Sequence, residues 1–324
     1  MLINGNALHI PLADKSVQMC VTSPPYWGLR DYGIEGQFGL EQTPEEYVMR
    51  MKMVFREVKR VLRDDGTLWL NLGDSYAGSL KGKGSKSFTK IQASNKGSFT
   101  EPKEIPQGLK PKDLVGISWR VAFALQADGW YLRNDIIWHK PNPMPESVKD
   151  RCTKSHEYIF LLTKNKKYYY DNEAVKEPAT GNAHSKGKKL DPPKGNEGRH
   201  KDWDKLTPDL VDFRNKRTVW TMTTRPYSGA HFATFPPELP EICIKAGSAE
   251  GDTILDPFVG SGTTCMVARD LGRQSVGIDL SFDYLVKNAK ERLQIDKLEY
   301  WKSGAGKEVE ENYSELPIFK EIHP

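Results

Sequence analysis

The stretch Val21-Thr22-Ser23-Pro24-Pro25-Tyr26 follows an apolar run, residues 17–21, of the kind found in buried parallel strands. Two consecutive prolines lack N–H donors and have a fixed φ angle, so they cannot continue a sheet. We therefore predict that the strand stops at Ser23 and that the backbone leaves it in a stiff, extended turn. Such a turn presents one small hydroxyl group, two carbonyl groups outside any strand pairing and one aromatic ring.

This turn suits a flat heterocycle that carries an exocyclic amine. The heterocycle would stack on Tyr26, and its amine would donate hydrogen bonds to Ser23 and to the carbonyl oxygen of Pro24. The plain alternative is a proline-terminated strand whose tyrosine packs in the core, and a motif this short does not separate the two. A second stretch far along the chain, Asp256-Pro257-Phe258-Val259-Gly260-Ser261-Gly262-Thr263-Thr264, favours the ligand-binding interpretation.

The second stretch lies between the predicted elements of a nucleotide-binding unit. Residues 252–256 are predicted to form a strand, residues 263–271 a helix, and residues 274–279 a second strand that ends in Asp279. A strand, a glycine loop, a helix and a strand ending in an acidic residue form the βαβ unit that binds nucleotides. Glycines in the loop allow the backbone to approach a ligand closely, and the helix N-terminus favours anionic groups.

The acidic residues of this unit narrow the choice of ligand. Asp279 lies 23 residues after Asp256, at the end of the second strand, where it can accept hydrogen bonds from both hydroxyl groups of a ribose. The loop is not GxGxxG and has no lysine of a phosphate-binding P-loop. Asp256 occupies the strand end that a pyrophosphate would approach, which disfavours NAD and ATP. The pattern favours a ligand with a ribose, an adenine and a cationic end, such as S-adenosylmethionine.

Length and composition set the class of the protein. A chain of 324 residues, with 38% hydrophobic and 28% charged residues, fits a globular protein of two domains, or of one domain with insertions. The net charge is only +4, so a nucleic-acid surface has to come from local clustering of basic residues. We see no apolar run that could span a bilayer and no secretory signal at the N-terminus. The four scattered cysteines form no CxxC motif, which favours a cytoplasmic protein with reduced thiols and no metal site.

The rest of the sequence alternates predicted helices and strands. Thr43, Pro44 and Glu46 mark a helix start, with a threonine cap, a proline at the first helical position and a glutamate three residues after the cap. Apolar residues on one face continue this helix, and Gly66 ends it. Further strands are predicted at residues 67–72, 131–138 and 157–163, and further helices at residues 113–128, 237–246 and 282–293.

Two polar segments interrupt this alternation. Residues 81–112 hold eight lysines against two glutamates without hydrophobic periodicity, which predicts a flexible basic loop that is either a solvated linker or a clamp on phosphates. Residues 171–219 mix basic residues with aromatic ones, here Trp203 and Phe213 and, just beyond, Trp220. This mixture fits either a nucleic-acid-reading insert or a solvent-exposed excursion.

Together, the SPPY motif at residues 23–26 and the DPFVGSGTT motif at residues 256–264 resemble those of the amino-group DNA methyltransferases. Their order is similar to that of the circularly permuted class, in which the catalytic motif precedes the cofactor motif. The resemblance covers most of the chain, from Leu2 to about Leu293. It implies an α/β fold with a doubly wound, mostly parallel, seven-stranded sheet and inserted basic loops.

The resemblance also implies a domain organisation. The catalytic domain would comprise residues 1–170 and 220–295, with the catalytic half first and the cofactor half second. Residues 171–219 would be the target-recognition insert, and residues 296–324 would be a peripheral C-terminal tail.

Site residues follow from the same resemblance. The methionine part of S-adenosylmethionine would be surrounded by Asp256, Phe258, Gly260, Gly262 and Thr263, with Phe232 and Pro236 lining its end. Asp279 would bind the ribose. The turn at residues 4–6 resembles the family's adenine-side turn, where an aspartate commonly stands in place of Asn6, and this departure leaves the role of Asn6 open. The target base would be held by Ser23, Pro24, Pro25 and Tyr26.

The implied reaction moves a methyl group to the exocyclic amine of a base that is flipped out of duplex DNA. Carbon-5 methylation of cytosine would need a cysteine that follows a proline, and none of the four cysteines does. In the family, a serine at the first position of the motif usually accompanies cytosine-N4 targets. Ser23 therefore implies N4 of cytosine, with adenine N6 as the alternative.

The implied partner is double-stranded DNA, and a membrane is not expected. A cognate restriction endonuclease and a homodimer are further options that the family leaves open. An RNA or protein amide methyltransferase would share the cofactor half, although such enzymes usually place the cofactor motif first. A non-catalytic DNA-binding module is the other rival, and the intact glycine loop, both acidic residues and the full SPPY motif speak against it.

Overall fold

The computed structural model describes residues 1–78, 105–179, 213–224, 235–289 and 293. The chain divides into two compact units, one of Met1–Tyr170 with Thr218–Pro324 and the other of Asp171–Arg217. The predicted tail lies outside the described residues, as do most of the predicted basic loop and most of the predicted recognition insert. The assignment of functions to these segments stays a prediction.

The described elements follow one another in an alternating α/β order. In chain order they are β1 (Leu2–Asn4), β2 (Val17–Thr22), α1 (Pro44–Val61), β3 (Leu62–Leu72), α2 (Ile117–Ala127), β4 (Tyr131–His139), β5 (His156–Thr163), β6 (Glu177–Pro178), β7 (Phe213–Arg214), β8 (Val219–Thr221), α3 (Glu238–Gly247), β9 (Thr253–Asp256), α4 (Thr263–Asp270), β10 (Gln274–Asp279) and α5 (Phe282–Tyr284), which continues as a π-helix over Leu285–Ala289.

Eight strands of the first unit form one sheet in the order β1-β10-β9-β2-β3-β5-β4-β8. Every strand is parallel to the others except β5, which is antiparallel to both of its neighbours, β3 and β4. The predicted mostly parallel sheet is therefore confirmed, with one strand more than the expected seven among the described residues. The additional strand is β8, a three-residue edge strand that pairs with the end of β4.

Helices lie on both faces of this sheet, as a doubly wound fold requires. On one face, buried residues of α1 and α2, such as Phe55 and Val121, share a core with Cys20 of β2 and Leu68 of β3. On the other face, a Cβ atom at Gly247 of α3 would lie 2.9 Å from the side chain of Met19 and 2.9 Å from that of Thr67. Met19 and Thr67 directly precede Cys20 and Leu68 of the first core. Because side chains alternate between the two faces along a strand, α3 packs on the opposite face of the sheet.

Three predictions are wrong: the end of helix α1, the start of helix α2 and the exposure of Trp220. Helix α1 starts with the predicted capping box but ends at Val61 rather than near Gly66, because Leu62 is extended and already pairs with Val17 of β2. Helix α2 starts at Ile117 rather than at residue 113, because Val115 donates a backbone hydrogen bond to Ser75 and continues a short bridge.

The third correction concerns Trp220, which belongs to the core and not to an exposed reading surface. It lies in β8 with 5% of its surface exposed, and its ring centroid is 6.3 Å from that of Trp69 on β3. Trp138 of β4 donates a hydrogen bond to the carbonyl oxygen of Met222 just beyond β8, at 2.9 Å. Phe213, in contrast, is 54% exposed, and Trp203 lies outside the described residues.

The second unit is described only near its two ends. Strands β6 and β7 pair antiparallel, so that Glu177 lies opposite Arg214. The Glu177 carboxylate accepts hydrogen bonds from Arg214, at 3.0 Å, and from Arg217, and Lys216 lies 3.8 Å away. One carboxylate therefore gathers three cations where the ends of this unit meet.

Two further observations concern membrane-spanning helices and the cysteines. Among the residues that the structure describes, no helix combines the length and the apolar character needed to cross a membrane. The four cysteines are all described and carry no disulfide; Cys20, Cys243 and Cys265 are buried and Cys152 is exposed.

Candidate active site

The candidate site forms at one edge of the sheet, where the carboxyl ends of the parallel strands meet. Strands β2, β3, β9 and β10 end at this edge in Thr22, Leu72, Asp256 and Asp279. Strand β5 runs in the opposite direction, so its first residues lie at the same edge, with Tyr158 opposite Leu72. Clefts at this edge are where open α/β sheets bind ligands.

A buried hydrogen bond joins the two sequence motifs. The Thr22 hydroxyl, directly before the SPPY turn, donates to Oδ1 of Asp256 at 2.7 Å, across 234 positions of the chain. Asp256 also accepts hydrogen bonds from the Thr264 hydroxyl at 2.6 Å and from the Phe258 amide at 3.1 Å. The start of the glycine loop and the start of the SPPY turn are therefore neighbours.

Asp256 has a structural task in this arrangement. Its side chain is only 1% exposed, and both of its oxygens accept hydrogen bonds from the protein. Burial raises its pKa to about 6, against the opposing effect of the three hydrogen bonds. The predicted contact of this carboxylate with a cationic ligand stays a prediction, and the geometry places the group beneath the surface of the loop.

The glycine loop has the backbone conformation that its glycines allow. Gly260 and Gly262 have φ angles of 50° and 78°, in the left-handed region that favours glycine. A Cβ atom at Gly262 would lie 3.3 Å from Ala289, so the loop also packs closely on the π-helix. Thr263 is buried at the start of α4, and its hydroxyl lies 3.4 Å from that of Ser261.

Asp279, at the end of β10, contacts the glycine loop, and its carboxylate can accept further hydrogen bonds. Its carboxylate accepts the Gly260 amide at 3.1 Å and the Ser281 amide at 2.9 Å. A carboxylate has about four acceptor positions, and the described residues fill two of them, so two remain for a ligand. Burial raises the pKa of Asp279, and the same two backbone hydrogen bonds oppose that effect. This arrangement is compatible with the predicted ribose contact.

The turn at residues 4–6 meets Asp279 through its backbone. Asn4 donates from its side-chain amide to the carbonyl oxygens of Asp279 and Leu280, both at 3.0 Å, and the Gly5 amide donates to that of Asp279. Asn6 accepts a hydrogen bond from the Leu8 amide at 3.0 Å, which makes its side-chain oxygen part of a local turn. The structure thus brings the predicted adenine-side turn beside the predicted ribose-binding residue.

Two further predicted residues precede α3. Pro236 is buried, and its carbonyl oxygen accepts the Leu239 amide at 3.0 Å. Phe232 lies outside the described residues. Phe258 contacts a residue that the sequence did not single out, because its ring meets that of Phe38 edge to face at 5.3 Å. The segment after the SPPY turn therefore reaches back to the glycine loop.

The SPPY turn leaves the sheet as predicted, directly after Thr22. The Pro25 carbonyl oxygen accepts a hydrogen bond from the Tyr47 hydroxyl of α1 at 2.9 Å, so this carbonyl is occupied. The described residues supply no hydrogen bond to the Pro24 carbonyl oxygen. Ser23 is half-buried, and its hydroxyl donates to that of Tyr26 at 3.1 Å.

Tyr26 connects this turn to polar residues that sequence reasoning missed. Its hydroxyl lies 3.1 Å from Oδ1 of Asn71 and 2.9 Å from Oε2 of Glu157. Glu157 forms an ion pair with Lys140 through its other oxygen. Burial and the Glu157 carboxylate raise the pKa of Tyr26 well above its usual value, so the phenol stays protonated.

One feature of the sequence could have pointed to Asn71 and Glu157. Asn71 and Glu157 are polar residues within, or at the start of, apolar strands, where a partner is required. Their partner could not be identified from sequence, because the antiparallel direction of β5 places its first residues beside the end of β3. Among the described residues, no group of three or more histidines, cysteines and acidic residues is arranged to hold a metal ion.

Comparison with protein families and curated proteins gives consistent results. A family model described as DNA methylase, of the N6/N4 methyltransferase type, matches residues 17–291. The Type II methyltransferase M.SmaI of Serratia marcescens is 50% identical over 284 residues, which are 86% of this chain and 85% of that protein. The Type II methyltransferase M.XycI of Xanthomonas campestris pv. cyanopsidis is 49% identical over 296 residues, which are 90% of this chain and 87% of that protein.

Solved structures share the fold. The PvuII DNA methyltransferase, described as cytosine-N4-specific, matches with a TM-score of 0.60 and 18% identity over 91% of this chain and 86% of its own. A putative DNA modification methylase of Thermus thermophilus, solved in complex with S-adenosyl-L-methionine, matches with a TM-score of 0.54 and 24% identity over 90% of this chain and 92% of its own.

Proposed function

We propose a function from the premise that this chain belongs to the DNA methylase family, as a Type II methyltransferase that uses S-adenosylmethionine. The proposed acceptor is the exocyclic N4 amine of a cytosine that has been flipped out of duplex DNA. The observation that carries the proposal is the 2.7 Å hydrogen bond between Thr22 and Asp256. It supports a site in which the loop for the methyl donor and the pocket for the base are adjacent.

The residues of the glycine loop suit the proposed cofactor. Asp279 has acceptor positions left for ribose hydroxyls, beside the turn formed by Asn4 and Gly5. Gly260 and Gly262 allow a ligand to approach the backbone, and Pro236, Phe258 and Thr263 are proposed to line it with Phe232. S-Adenosylmethionine supplies an electrophilic methyl group on a sulfonium sulfur when it is bound.

The SPPY turn is proposed to position the accepting amine. An exocyclic amine on an aromatic ring is a weak nucleophile, because its lone pair is delocalised into the ring. Hydrogen bonds from the amine to the Ser23 hydroxyl oxygen and the Pro24 carbonyl oxygen favour a pyramidal nitrogen with its lone pair directed at the methyl group. Pro25 and Tyr47 hold the turn in place, and correct positioning of this kind can lower a barrier by about 7–11 kcal/mol.

Base flipping is part of the proposal, since the target amine is inaccessible inside the stacked duplex. Extruding a base costs a few kcal/mol. Stacking of the base on the Tyr26 ring would return about 1–3 kcal/mol.

The choice of cytosine N4 rests on Ser23, a neutral residue at the first position of the motif. Adenine N6 is the second candidate, because a hydroxyl oxygen and a carbonyl oxygen accept a hydrogen bond from either amine. Both candidates use the same site residues, so they differ in the product alone.

Mass spectrometry of nucleosides tests this proposal. Unmethylated duplex DNA is incubated with the protein and S-adenosylmethionine and then digested. We expect N4-methyldeoxycytidine, at least about 100-fold less of it with Ser23→Ala, and a normal yield with Ser16→Ala, which removes a hydroxyl at the other end of β2. N6-methyldeoxyadenosine would move the target to adenine, and the absence of any methylated nucleoside would overturn the proposal.

Further proposals concern partners and the recognition element. The second unit is proposed to read the DNA sequence, since Arg214, Lys216 and Arg217 gather there beside the exposed Phe213. A restriction endonuclease with the same recognition sequence is the proposed biological partner, because the relatives are named Type II methyltransferases. Assembly as a homodimer is proposed as well, and light scattering of the purified protein tests it.

A further inference from the structure

The hydrogen bonds around Tyr26 have a definite direction. The Glu157 carboxylate and the Oδ1 atom of Asn71 can only accept hydrogen bonds, and both lie within 3.1 Å of the Tyr26 hydroxyl. The Asn71 orientation is set by its side-chain amide, which donates to the Tyr158 carbonyl oxygen at 3.0 Å and to Glu157 at 3.2 Å. The Tyr26 hydrogen must therefore point to these acceptors, and the nearer one is Glu157, at 2.9 Å.

The direction of the Tyr26 hydroxyl hydrogen determines whether Ser23 donates or accepts hydrogen bonds. With its own hydrogen directed at Glu157, the Tyr26 oxygen has only lone pairs to offer to Ser23, 3.1 Å away. The Ser23 hydroxyl is therefore the donor in that contact. Its remaining capacity is two lone pairs, so Ser23 is held as an acceptor toward anything that approaches it from the open side of the turn.

The negative charge of Glu157, the last group in this series of hydrogen bonds, is balanced by Lys140. Glu157 and Lys140 form an ion pair in which each side chain is 17% exposed. The Lys140 ammonium also lies 4.1 Å from the centre of the Trp138 ring, which fixes its position. The Glu157 carboxylate is thereby held in place, with one oxygen against Lys140 and the other against the Tyr26 hydroxyl.

We propose that Glu157 is the final acceptor of the proton that the target amine loses, and that Ser23 and Tyr26 carry this proton to it. The proposal rests on the methyltransferase function and adds a residue to it. Ser23 and Tyr26 contact the base, whereas Glu157 acts through Tyr26 and is a positioning residue.

The proton transfer balances as follows. The nitrogen–methyl bond forms as the sulfur–methyl bond breaks, and the methylated nitrogen then carries one proton too many. That proton passes to the Ser23 oxygen, the Ser23 proton passes to Tyr26, and the Tyr26 proton passes to Glu157. The donor loses its positive charge and the carboxylate loses its negative charge, so the net charge of the site is unchanged.

Tyr26→Phe and Glu157→Gln test this proposal, singly and together. Phenylalanine keeps the ring but interrupts the route, and glutamine keeps the shape of the side chain but removes the negative charge. We expect each single variant to lower kcat about 100-fold, with unchanged KM values for DNA and cofactor. In the Tyr26→Phe background, Glu157→Gln should have no further effect on kcat, because its action passes through the missing hydroxyl.

Two substitutions away from the site serve as matched controls. Tyr168→Phe and Glu241→Gln remove a hydroxyl and a charge elsewhere and should leave kcat unchanged. A wild-type kcat in either site variant, or a full additional loss in the double variant, would overturn the proposal. If Glu157→Gln does not fold, the kcat of Tyr26→Phe still decides. A wild-type protein without methyl transfer would instead refute the proposed function.

Discussion

Asp256 shows how a single residue can both join two motifs and carry an energetic cost. Its carboxylate accepts hydrogen bonds from Thr22, Thr264 and Phe258, and burial raises its pKa to about 6. The unfolded chain has no such burial, so there the group titrates near about 4. The folded protein therefore binds more protons than the unfolded chain between about pH 4 and pH 6.

The sign of this difference predicts a pH-dependent loss of stability. As pH rises from about 4 to 6, the free energy of unfolding should fall by up to about 3 kcal/mol on account of Asp256, and the loss should persist at higher pH. Asp256→Asn removes the titration, while its amide can still accept from Thr22 and donate to Thr264. We expect the variant to gain stability relative to the wild type across that window.

Urea unfolding at pH 4.5, 5.5 and 7 measures the effect. The difference between the variant and the wild type is the relevant quantity, because titration of Asp279 and of other groups is common to both. A difference that does not change with pH would show that Asp256 titrates normally.

At the residue scale, sequence reasoning could predict the backbone features that a local motif determines. The turn at Ser23 and the left-handed backbone of Gly260 and Gly262 were predictable because prolines and glycines constrain the backbone in known ways. The functional roles of these residues stay predictions. Glu157 and Asn71 could not be predicted as neighbours of Tyr26, nor Lys140 as the partner of Glu157, because only the folded sheet creates these contacts. The burial of Asp256 beneath its own loop was likewise not visible.

At the scale of elements, the end of β3 is shaped by the SPPY turn that packs on it. A Cβ atom at Gly73, directly after β3, would lie 2.6 Å from Cε2 and 2.8 Å from Cδ2 of the Tyr26 ring. No real Cβ atom tolerates such contacts, so an alanine would displace the ring. The backbone at Gly73 is not left-handed, so the side chain alone is at issue.

Gly73→Ala should therefore destabilise the protein by about 1–3 kcal/mol and slow methyl transfer. In a Tyr26→Ala background the ring is absent, and the same substitution should cost almost nothing. Thermal unfolding of the two single variants and the double variant measures this coupling. An equal loss of stability in both backgrounds would show that the tyrosine ring is not the obstacle.

Elements marked by a local sequence motif were predicted, whereas elements that depend on hydrogen bonds to a neighbouring strand were not. The capping box of α1 is formed by Thr43 and Glu46 as their spacing predicts. The start of β3 at Leu62 and the strand β8 depend on neighbouring strands, which supply the hydrogen bonds that charged or short segments lack. The antiparallel direction of β5 could not be derived, since its apolar pattern is the same in either direction.

At the scale of the whole molecule, the hydrogen bond from Thr22 to Asp256 joins the half of the chain that carries the SPPY turn to the half that carries the glycine loop. Thr22→Val removes the hydroxyl and leaves Oδ1 of Asp256 with one donor, the Phe258 amide. We expect a loss of about 1–3 kcal/mol in stability, as for other buried polar groups that lose a partner. A slower methyl transfer should accompany it, because the two halves lose their register.

Thr22→Ser is the matched control, since it keeps the hydroxyl and removes only a methyl group. Urea unfolding and transfer of labelled methyl groups to DNA compare the two variants. If Thr22→Val unfolds at the same urea concentration as Thr22→Ser, the hydrogen bond does not join the halves in the way described.

The sheet order has a further consequence for how the protein is made. Leu2 of β1 pairs with Gly277 of β10, 275 positions later. A ribosome adding about 5–20 residues per second needs roughly 15–55 s to reach that partner. The three-residue strand β1 therefore cannot pair with β10 until the intervening chain has been synthesised. Because Asn4 and Gly5 also donate hydrogen bonds to the carbonyl oxygen of Asp279, the surroundings of this residue are completed only after β10 has been synthesised.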